Sequence, residues 1–395
     1  MDLSPTSFDA FSRLRISNPL TLFDSKQIFD NLPLKFDETT TGAGSTSHSA
    51  NAAATTLSVS GAGSVIRQSK QHMTYQPGKS LLILRTFAGM GQEAGVVKRY
   101  GYFDDANGVF LQVDDSGIKF VIRSNVTGTP VDTAVEQADW NGDRLDLTSA
   151  SDSNDISLDT AKAQILWFDL EWLGVGTVRC GFVIDGRFIL CNTFYNANEL
   201  STVYMSTPNL PLRSEIISTG ATGSFDEICS SVVSEGGYDT TQSERTVDTG
   251  TTAIAVGANA YAPLISLRTK ASRKGASFIP VSANLLCVSG ATFRWAIIMN
   301  ATFSAPLTYT ALVNSVVDYS NTNASGITVT AENYIIDSGY AELGGTGGAA
   351  LQINRSFIKP GFDIAGNSDT LTLAVQKIGG GSDDFYASLK FVELY

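Results

Sequence analysis

The segment TVRCGFVIDGRFILCNTF, residues 177–194, constrains the fold more than any other part of the chain. Asp185-Gly186 stands between two runs of β-branched and aromatic residues, which predicts a two-residue hairpin turn. Alternate side chains of a hairpin point to opposite faces, and here both faces are apolar. A hairpin of this kind has to be covered on both sides. One predicted face holds Phe182, Ile184 and Ile189, and the other holds Val183, Phe188 and Leu190.

The residues before the hairpin predict a long antiparallel strand. In ILWFDLEWLGVG, residues 165–176, one face carries Leu166, Phe168, Leu170 and Trp172, and we assign that face to the core. Glycines then separate this strand from the hairpin. A long strand, a glycine break and a tight hairpin are together typical of concanavalin-like jelly-roll sandwiches, and this analogy concerns the fold alone.

Further strand patterns lie on both sides of this region. Runs around 80–88, 97–103, 109–113 and 118–123 are separated by loops that contain Asp and Gly, as in a β-meander. After a Ser/Thr/Gly-rich tract, segments such as FRWAIIMNATFS and TLTLAVQKI again alternate apolar and polar residues. We therefore predict an all-β protein of two β-sandwich domains, the first a concanavalin-like jelly roll, preceded by an extended N-terminal arm. The expected boundaries are 1–40 for the arm, 41–238 for the first sandwich, 239–253 for a linker and 254–395 for the second sandwich.

Length and charge limit the classes of function. A chain of 395 residues is long enough for two domains with separate cores. Lys and Arg number 27 against 39 Asp and Glu, a formal net charge of −12, so we expect no nucleic-acid partner. No apolar run approaches the ~20 residues of a membrane span, and the first residues lack the pattern of a signal peptide. We expect a soluble protein made in the cytosol, with no membrane partner.

The chain begins with a strand-like arm. The stretch FDAFSRLRISNP, residues 8–19, alternates apolar and basic residues with a period of two before Asn18-Pro19. Nothing nearby in the sequence supplies a strand that could pair with it. We therefore expect the arm to dock on a neighbouring protein by adding a strand to a sheet edge, and the alternative is an edge strand of its own sandwich. The expected docking residues are Phe8, Phe11, Arg13, Arg15 and Phe23.

The cysteines argue against a zinc site and raise the question of a disulfide. Cys180, Cys191, Cys229 and Cys287 show no CxxC spacing. If Asp185-Gly186 is the turn, opposed residues have numbers that sum to 371, so Cys180 and Cys191 should face each other. Opposed Cα atoms lie about 4.5–5.5 Å apart, which is within disulfide range. A cytosolic origin nevertheless favours two buried thiols over a bond.

Candidate catalytic and metal-binding residues are few. His48 and His72 are not accompanied by a nucleophile motif such as GxSxG, so we expect no hydrolase of that kind. Asp104-Asp105 and Asp114-Asp115, on adjacent predicted loops, could form a calcium site or a glycosidase carboxylate pair. Asp-rich turns are the usual chemistry of hairpins, and we favour that interpretation. We expect no catalytic residue and no cofactor, with a weak calcium site left open.

Tryptophans can serve a core or bind a sugar. Trp172 and Trp295 lie within apolar runs and are predicted to be core residues. Trp140, in the polar segment QADWNGD, is the tryptophan that we predict to be exposed. It is our candidate for a glycan contact.

A succession of short motifs resembles a known protein family. In this order the motifs are similar to those of a family of virion structural proteins of tailed bacteriophages, notably phages that infect cyanobacteria. The resemblance covers residues 8 to about 240, and nothing beyond about residue 245 contributes to it. The motifs are DAFSRLRISNP (9–19), TLFDSK (21–26), YQPGKS (75–80), GYFDD (101–105), QADWN (137–141), WLGVG (172–176), TPNLPLR (207–213) and SEGG (234–237).

The resemblance implies a structural component of a virion, assembled in the host cytoplasm. We expect a place at the tail or an appendage, as a fibre or adaptor protein that docks through its N-terminal part. Other virion structural proteins would be its partners, and we expect a homo-oligomer with a trimer favoured. The resemblance supplies no catalytic residue, so we expect that the protein is not an enzyme.

The sequence leaves three alternatives open. The jelly-roll pattern and the polar, Tyr-bearing loops are compatible with a module that binds glycans of the host surface. A capsid-decorating protein is the second alternative. A polysaccharide depolymerase is the third alternative, although no acidic pair is placed to favour it.

Overall fold

The chain folds into two compact units of β-structure. The first comprises Met1–Gln68 and Tyr75–Asp239, and the second comprises Ser69–Thr74 and Thr240–Tyr395. The predicted all-β fold of two sandwiches is confirmed. No helix within the described residues is long and apolar enough to cross a membrane. The computed structural model describes residues 18–147, 155–239, 243–321, 326–342, 348–352 and 359–395.

The first unit is a curled β-sandwich of the jelly-roll type. Its strands join in one antiparallel sheet with the order β11-β10-β9-β4-β13-β3-β12-β5-β6-β7-β8, while β1 pairs with β13 and β2 with β3. The strands are β1 (Leu20–Lys26), β2 (Phe36–Ser49), β3 (Ala54–Ser69), β4 (Leu81–Ala88), β5 (Val96–Phe103), β6 (Gly108–Asp114), β7 (Gly117–Ser124), β8 (Val131–Glu136), β9 (Gln164–Leu170), β10 (Val178–Ile184), β11 (Arg187–Phe194), β12 (Leu212–Ser218) and β13 (Thr222–Ser234).

The sheet curls until its two halves face each other across an aromatic core. Phe120 on β7 meets Phe168 on β9 and Phe182 on β10, each with ring centroids 6.1 Å apart. A second cluster places Tyr100 on β5 between Phe87 and Phe225, in edge-to-face contacts. Such aromatic pairs stabilise a core beyond their burial alone. On β5, β6, β7 and β12, the residues that alternate with the core-facing side chains therefore point away from the core.

The N-terminal part of the described chain belongs to this sandwich. Strand β1 pairs with β13 of the same chain, from Leu20 opposite Ser234 to Lys26 opposite Cys229. The Phe23 side chain is 5% exposed and packs edge-to-face on Phe36, at 5.7 Å. Phe23 is therefore closed to a neighbouring protein, and the prediction that it docks on one is wrong. The other expected docking residues, Phe8, Phe11, Arg13 and Arg15, lie outside the described residues.

The hairpin of β10 and β11 turns where the sequence predicted and then departs from the predicted register. Ile184 opposes Arg187, and both turn residues, Asp185 and Gly186, have positive φ, 51° and 74°. A bulge between Cys180 and Gly181 shifts the pairing by one residue. Cys180 consequently opposes Asn192, so the expected direct pairing with Cys191 is wrong. Both cysteines are buried, and no disulfide joins them in the structure.

The second unit is also built from antiparallel sheets with aromatic pairs between them. Phe293 and Phe385 pack at 5.1 Å, and Phe278 and Phe391 at 5.8 Å. The sheet orders are β14-β26-β17-β24, with β15 on β26, and β20-β21-β16-β25-β18-β23, and β19 pairs with β22. The strands are β14 (Glu244–Asp248), β15 (Ile254–Gly257), β16 (Ala262–Thr269), β17 (Ser277–Cys287), β18 (Thr292–Met299), β19 (Thr302–Phe303), β20 (Thr310–Ala311), β21 (Val317–Ser320), β22 (Val329–Ala331), β23 (Tyr334–Glu342), β24 (Gly348–Gln352), β25 (Thr370–Lys377) and β26 (Ser382–Leu394).

The expected linker, 239–253, is partly a strand. Within it β14 pairs with β26 over the whole of Glu244–Asp248, and Val247 is buried in the core of the second unit. The division between the units falls after Asp239. The polar, Thr-rich sequence suggested a linker because an edge strand needs few apolar residues.

Candidate functional site

The outward side of one half of the first sheet carries a dense set of polar side chains. Because alternate residues of a strand point the same way, the outward residues of neighbouring strands line up in rows. We call this surface, on β3, β12, β5, β6, β7 and β8, the charged face. Its residues are Gln68, Arg213, Glu215, Arg99, Gln112, Asp114, Lys119, Arg123, Asp132 and Glu136.

Hydrogen bonds connect the charged face across its strands. Glu215 forms an ion pair with Arg213 Nη2 at 2.5 Å and accepts a hydrogen bond from Arg99 Nη1 at 3.1 Å. Arg99 Nε in turn donates to Gln112 Oε1 at 2.8 Å. The amide of Gln112 donates to Asp114 Oδ2 at 2.6 Å. A continuous polar ladder therefore runs from β12 through β5 to β6.

The ladder continues to the sheet edge through two ion pairs. Lys119 Nζ lies 3.1 Å from Asp114 Oδ2 and 3.2 Å from Glu136 Oε1. Beside it, the Arg123 guanidinium holds Asp132 with two parallel bonds of 2.8 and 2.9 Å. This bidentate geometry fixes both planar groups in one orientation.

The floor beneath the ladder is aromatic. Phe103, Phe110 and Val121 form a small cluster that is fully buried although it lies on the outward side of the sheet. Guanidinium groups cover it, with Arg123 at 5.2 Å from the Phe110 centroid and Arg213 at 5.6 Å from that of Phe103. Cation–π contacts of this kind hold the arginines flat against the sheet.

Asp114 is firmly ionised on this face. Burial alone would raise the pKa of its carboxyl, but hydrogen bonds from Gln112, Ser116 and Lys119 outweigh that effect and hold the pKa at about 2. Lys119 shows the complementary behaviour. Burial favours its neutral form, yet its bonds to Asp114 and Glu136 raise the pKa of the ammonium above its ordinary value.

The arrangement offers fixed donors and acceptors to a bound molecule. The face presents guanidinium forks, amides and carboxylates whose positions are set by their neighbours rather than by solvent. The side chains of Glu136 and Asp132, at the sheet edge, are 43% and 35% exposed, whereas those of Arg213 and Glu215 are buried. Beside the face, Asp105 accepts from Arg213 Nη2 at 2.7 Å and is 79% exposed. A hydroxyl group can both donate and accept, so a molecule rich in hydroxyls suits such a surface.

Trp140 does not belong to this surface. Its side chain is 1% exposed, its ring lies 4.7 Å from that of Phe120, and its Nε1 donates to the carbonyl oxygen of Val135 at 3.2 Å. The prediction that Trp140 contacts a glycan is therefore wrong. The polar residues around it fold back on the sheet, since Gly142 N donates to the carbonyl oxygen of Cys191 at 2.9 Å.

The aspartates of the hairpin loops mainly stabilise turns. Asp104 Oδ1 accepts from the backbone N–H groups of Ala106 and Asn107, each at 2.7 Å. Asp115 Oδ1 accepts from Gly95 N at 2.8 Å. Among the described residues, no three His, Cys, Asp or Glu side chains are grouped so that they could hold a metal ion.

The two histidines have structural surroundings. His48 Nε2 lies 2.7 Å from the carbonyl oxygen of Gln27, within hydrogen-bond distance. His72 is buried, with its ring edge-to-face against Phe362 at 5.9 Å. The His48 ring therefore contacts a backbone carbonyl group, and the His72 ring packs against an aromatic side chain.

Sequence reasoning did not find the arginines of the charged face. The signal that could have found them is the alternation of charged and apolar residues in VKRYGYF, GIKFVIRS and LRSEIIS. Each segment has charged residues on its outward positions, yet only the strand order brings Arg99 beside Glu215.

Comparison with known proteins gives a likeness of fold. The chain matches no protein-family model and no curated protein sequence. Among solved structures it is similar to the carbohydrate recognition domain of Emp47p (TM-score 0.34, 11% identity, 55% of this chain and 96% of that chain). It is also similar to a lectin from Bauhinia forficata in complex with GalNAc (0.31, 10%, 56% and 100%) and to arcelin-5, a lectin-like defence protein from Phaseolus vulgaris (0.31, 8%, 56% and 100%). Each of these matches covers about half of this chain.

Proposed function

We propose that the first unit is a non-enzymatic carbohydrate-binding module and that the charged face is its binding surface. The observation that carries this proposal is the polar ladder, which crosses β12, β5, β6 and β7 with each member held by its neighbours. A surface whose groups are ordered before binding loses less conformational entropy when a ligand arrives.

The charge pattern favours a neutral, hydroxyl-rich ligand. Cations and carboxylates alternate along the ladder and pair with each other, so the face has no isolated charge to attract a strongly charged partner. Sugar hydroxyls can accept from the guanidinium and ammonium groups and donate to the carboxylates. Exposed ends such as Glu136 and Asp132 then provide the first contacts.

The low pKa of Asp114 argues against a role for this residue as the general acid of a glycosidase. A glycosidase needs one carboxyl that stays protonated at working pH, and its pKa has to be raised. Asp114 has the opposite perturbation, with a pKa of about 2. A depolymerase would also have to release new sugar ends, which gives a direct test.

The family resemblance of residues 8 to about 240 supports a location on a phage particle. We place the chain at the tail or an appendage, where a carbohydrate-binding module would contact the host surface. A capsid-decorating protein is the alternative location. Immunogold labelling of intact particles decides between the two, because label on the head would contradict the tail assignment.

A glycan array tests the binding function. The full chain, carrying a fluorescent label, is expected to bind a defined subset of neutral oligosaccharides from bacterial surfaces. Reducing-end assays on the bound sugars are expected to show no cleavage. Absence of binding to every glycan would contradict the binding proposal, and release of sugar ends would contradict its non-enzymatic part.

A further inference from the structure

The face of β9, β10 and β11 that points away from the core carries a group of apolar side chains, three of which are open to solvent. Phe188 is 56% exposed, Ile165 40% and Leu190 39%. The strand register places these side chains together, because Ile165 and Phe188 both oppose Val183, while Trp167 and Leu190 both oppose Gly181. We call Ile165, Trp167, Val183, Phe188 and Leu190 the apolar patch.

The apolar patch is held in a fixed arrangement. The Trp167 ring lies over Gly181, where a Cβ would come within 2.9 Å of its Nε1. That nitrogen donates to the carbonyl oxygen of Phe182 at 3.2 Å. Phe188 packs on the same ring at 5.6 Å and 65°. Aromatic groups fixed in this way on a surface are typical of a binding interface.

The described part of the chain leaves these side chains uncovered. The hairpin sequence is apolar on both faces, which predicts cover on both sides. The sandwich covers Phe182 and Ile189 on the inner face, yet Phe188 and Leu190 stay exposed on the outer face. An exposed apolar patch of this kind marks a site where a further segment or molecule can bind.

The N-terminal segment has the composition and length to supply this cover. Residues 8–16 carry Phe8, Phe11, Leu14 and Ile16 among polar residues. The 17 residues that precede Asn18 could extend about 56 Å at ~3.3 Å per residue, enough to reach a second molecule. Apolar side chains at this density suit a patch of exposed aromatic and aliphatic groups.

The register of β1 directs this segment away from the patch of its own chain. The chain enters β1 at Leu20, which lies in the row of Ser234, Leu81 and Leu170. Ile165, in the patch, lies in the row of Lys26 at the other end of the strand. Asn18 precedes Pro19 and so favours an extended conformation rather than a reversal.

We propose that residues 8–16 of one copy of the chain cover the apolar patch of a second copy. Phe8, Phe11, Leu14 and Ile16 then contact Phe188, Leu190 and Ile165, and the exchange of segments joins the copies into a homo-oligomer. This proposal is independent of carbohydrate binding, because the apolar patch and the charged face lie on different halves of the sheet.

The mass in solution tests the proposal. By light scattering, the full chain is expected to have a mass of at least two copies of the 42.0 kDa chain. Deletion of residues 1–17 and the double change Phe188→Ser with Leu190→Ser are each expected to give the monomer mass. The matched control is Val313→Ser, which alters an apolar residue that is 77% exposed in the second unit and should leave the mass unchanged. A monomeric full chain, or an oligomer that survives either change, would overturn the proposal.

Cross-linking between two differently tagged copies identifies the occupant of the patch. One copy carries Phe11→Cys and the other Phe188→Cys, and oxidation is expected to yield a disulfide that joins the two tags. Mixed wild-type copies control for the native Cys229, which is part exposed. A cross-link that forms only within a chain carrying both changes would show that the segment covers its own patch and would contradict exchange between copies.

Discussion

At the scale of single residues, the first unit contains a buried ionic network in its core. Glu227 is fully buried and lies 3.3 Å from Arg85 Nη2 and 3.7 Å from Arg67 Nε. Ser214 donates to Glu227 Oε2 at 2.6 Å. Arg85 also donates to the carbonyl oxygens of Gly101 and Arg213, and its guanidinium lies 3.7 Å from the Tyr100 ring centroid. The network thereby ties β4, β13, β12 and β5 together through groups that water does not reach.

Removing the charge of Glu227 should strongly destabilise the first unit. Glu227→Gln leaves Arg85 and Arg67 buried with less compensation, and we expect a loss of about 3–5 kcal/mol in the free energy of unfolding. Urea unfolding of the full chain, followed through the transition of the first unit, measures this loss. The control is Asp24→Asn, which removes an exposed pair with Lys35 and should cost less than about 1 kcal/mol. Equal effects of the two changes would show that the core network is not important for stability.

Asp114 should make the stability of the first unit depend on acid pH. Its folded-state pKa of about 2 lies below the ordinary value of 3.8, so its contribution is present above pH 3.8 and is lost as the pH falls through 2. Asp114→Asn should therefore lower Tm at pH 5, by an amount that corresponds to about 1 kcal/mol or less for a partly exposed pair. The difference in Tm between the two proteins should shrink as the pH approaches 2. A difference that stays constant over this range would contradict the assignment.

At the scale of elements, the hairpin of β10 and β11 depends on a glycine at its bulge. A Cβ at Gly181 would lie 1.9 Å from the carbonyl oxygen of Ile189 and 2.9 Å from Trp167 Nε1. Since backbone atoms cannot give way, Gly181→Ala should cost about 3 kcal/mol or more in unfolding free energy. Thermal unfolding measures it against Gly380→Ala, where a Cβ would meet nothing within 4 Å. Similar Tm values for the two variants would show that the bulge can rearrange.

Local sequence patterns predicted some elements and missed others for identifiable reasons. Asp185 and Gly186 both adopt positive φ, as this type of hairpin turn requires, so the turn could be predicted from these two residues alone. No local sequence pattern predicts the bulge at Gly181, because it depends on the close contact with Trp167 on a neighbouring strand. Trp140 was predicted to be exposed from its polar neighbours, but its burial depends on Phe120 across the fold. Local polarity does not report such contacts.

At the scale of the whole molecule, the fold class and the number of sandwiches followed from the sequence. Alternating strands and Asp/Gly turns recur along the chain, and such local signals are independent of strand order. The charged face could not be derived in this way. Arg99 and Glu215 are 116 residues apart, and they meet because β5 and β12 are neighbours in the curled sheet. The site is therefore a property of the topology rather than of any one segment.

The central claim is that a glycan binds at the charged face. The most direct test compares the glycan affinities of two matched variants, one on each half of the sheet. Arg123→Lys keeps the charge but loses the two parallel bonds to Asp132, whereas Arg179→Lys makes the same change on the other half of the sheet, where Arg179 pairs with Asp169. For an oligosaccharide that the full chain binds on the array, titration calorimetry should show affinity reduced about ten- to a hundredfold by Arg123→Lys and unchanged by Arg179→Lys. Both variants should keep the unfolding temperature of the parent. Unchanged affinity in Arg123→Lys, or a loss confined to Arg179→Lys, would show that the sugar does not bind at the charged face.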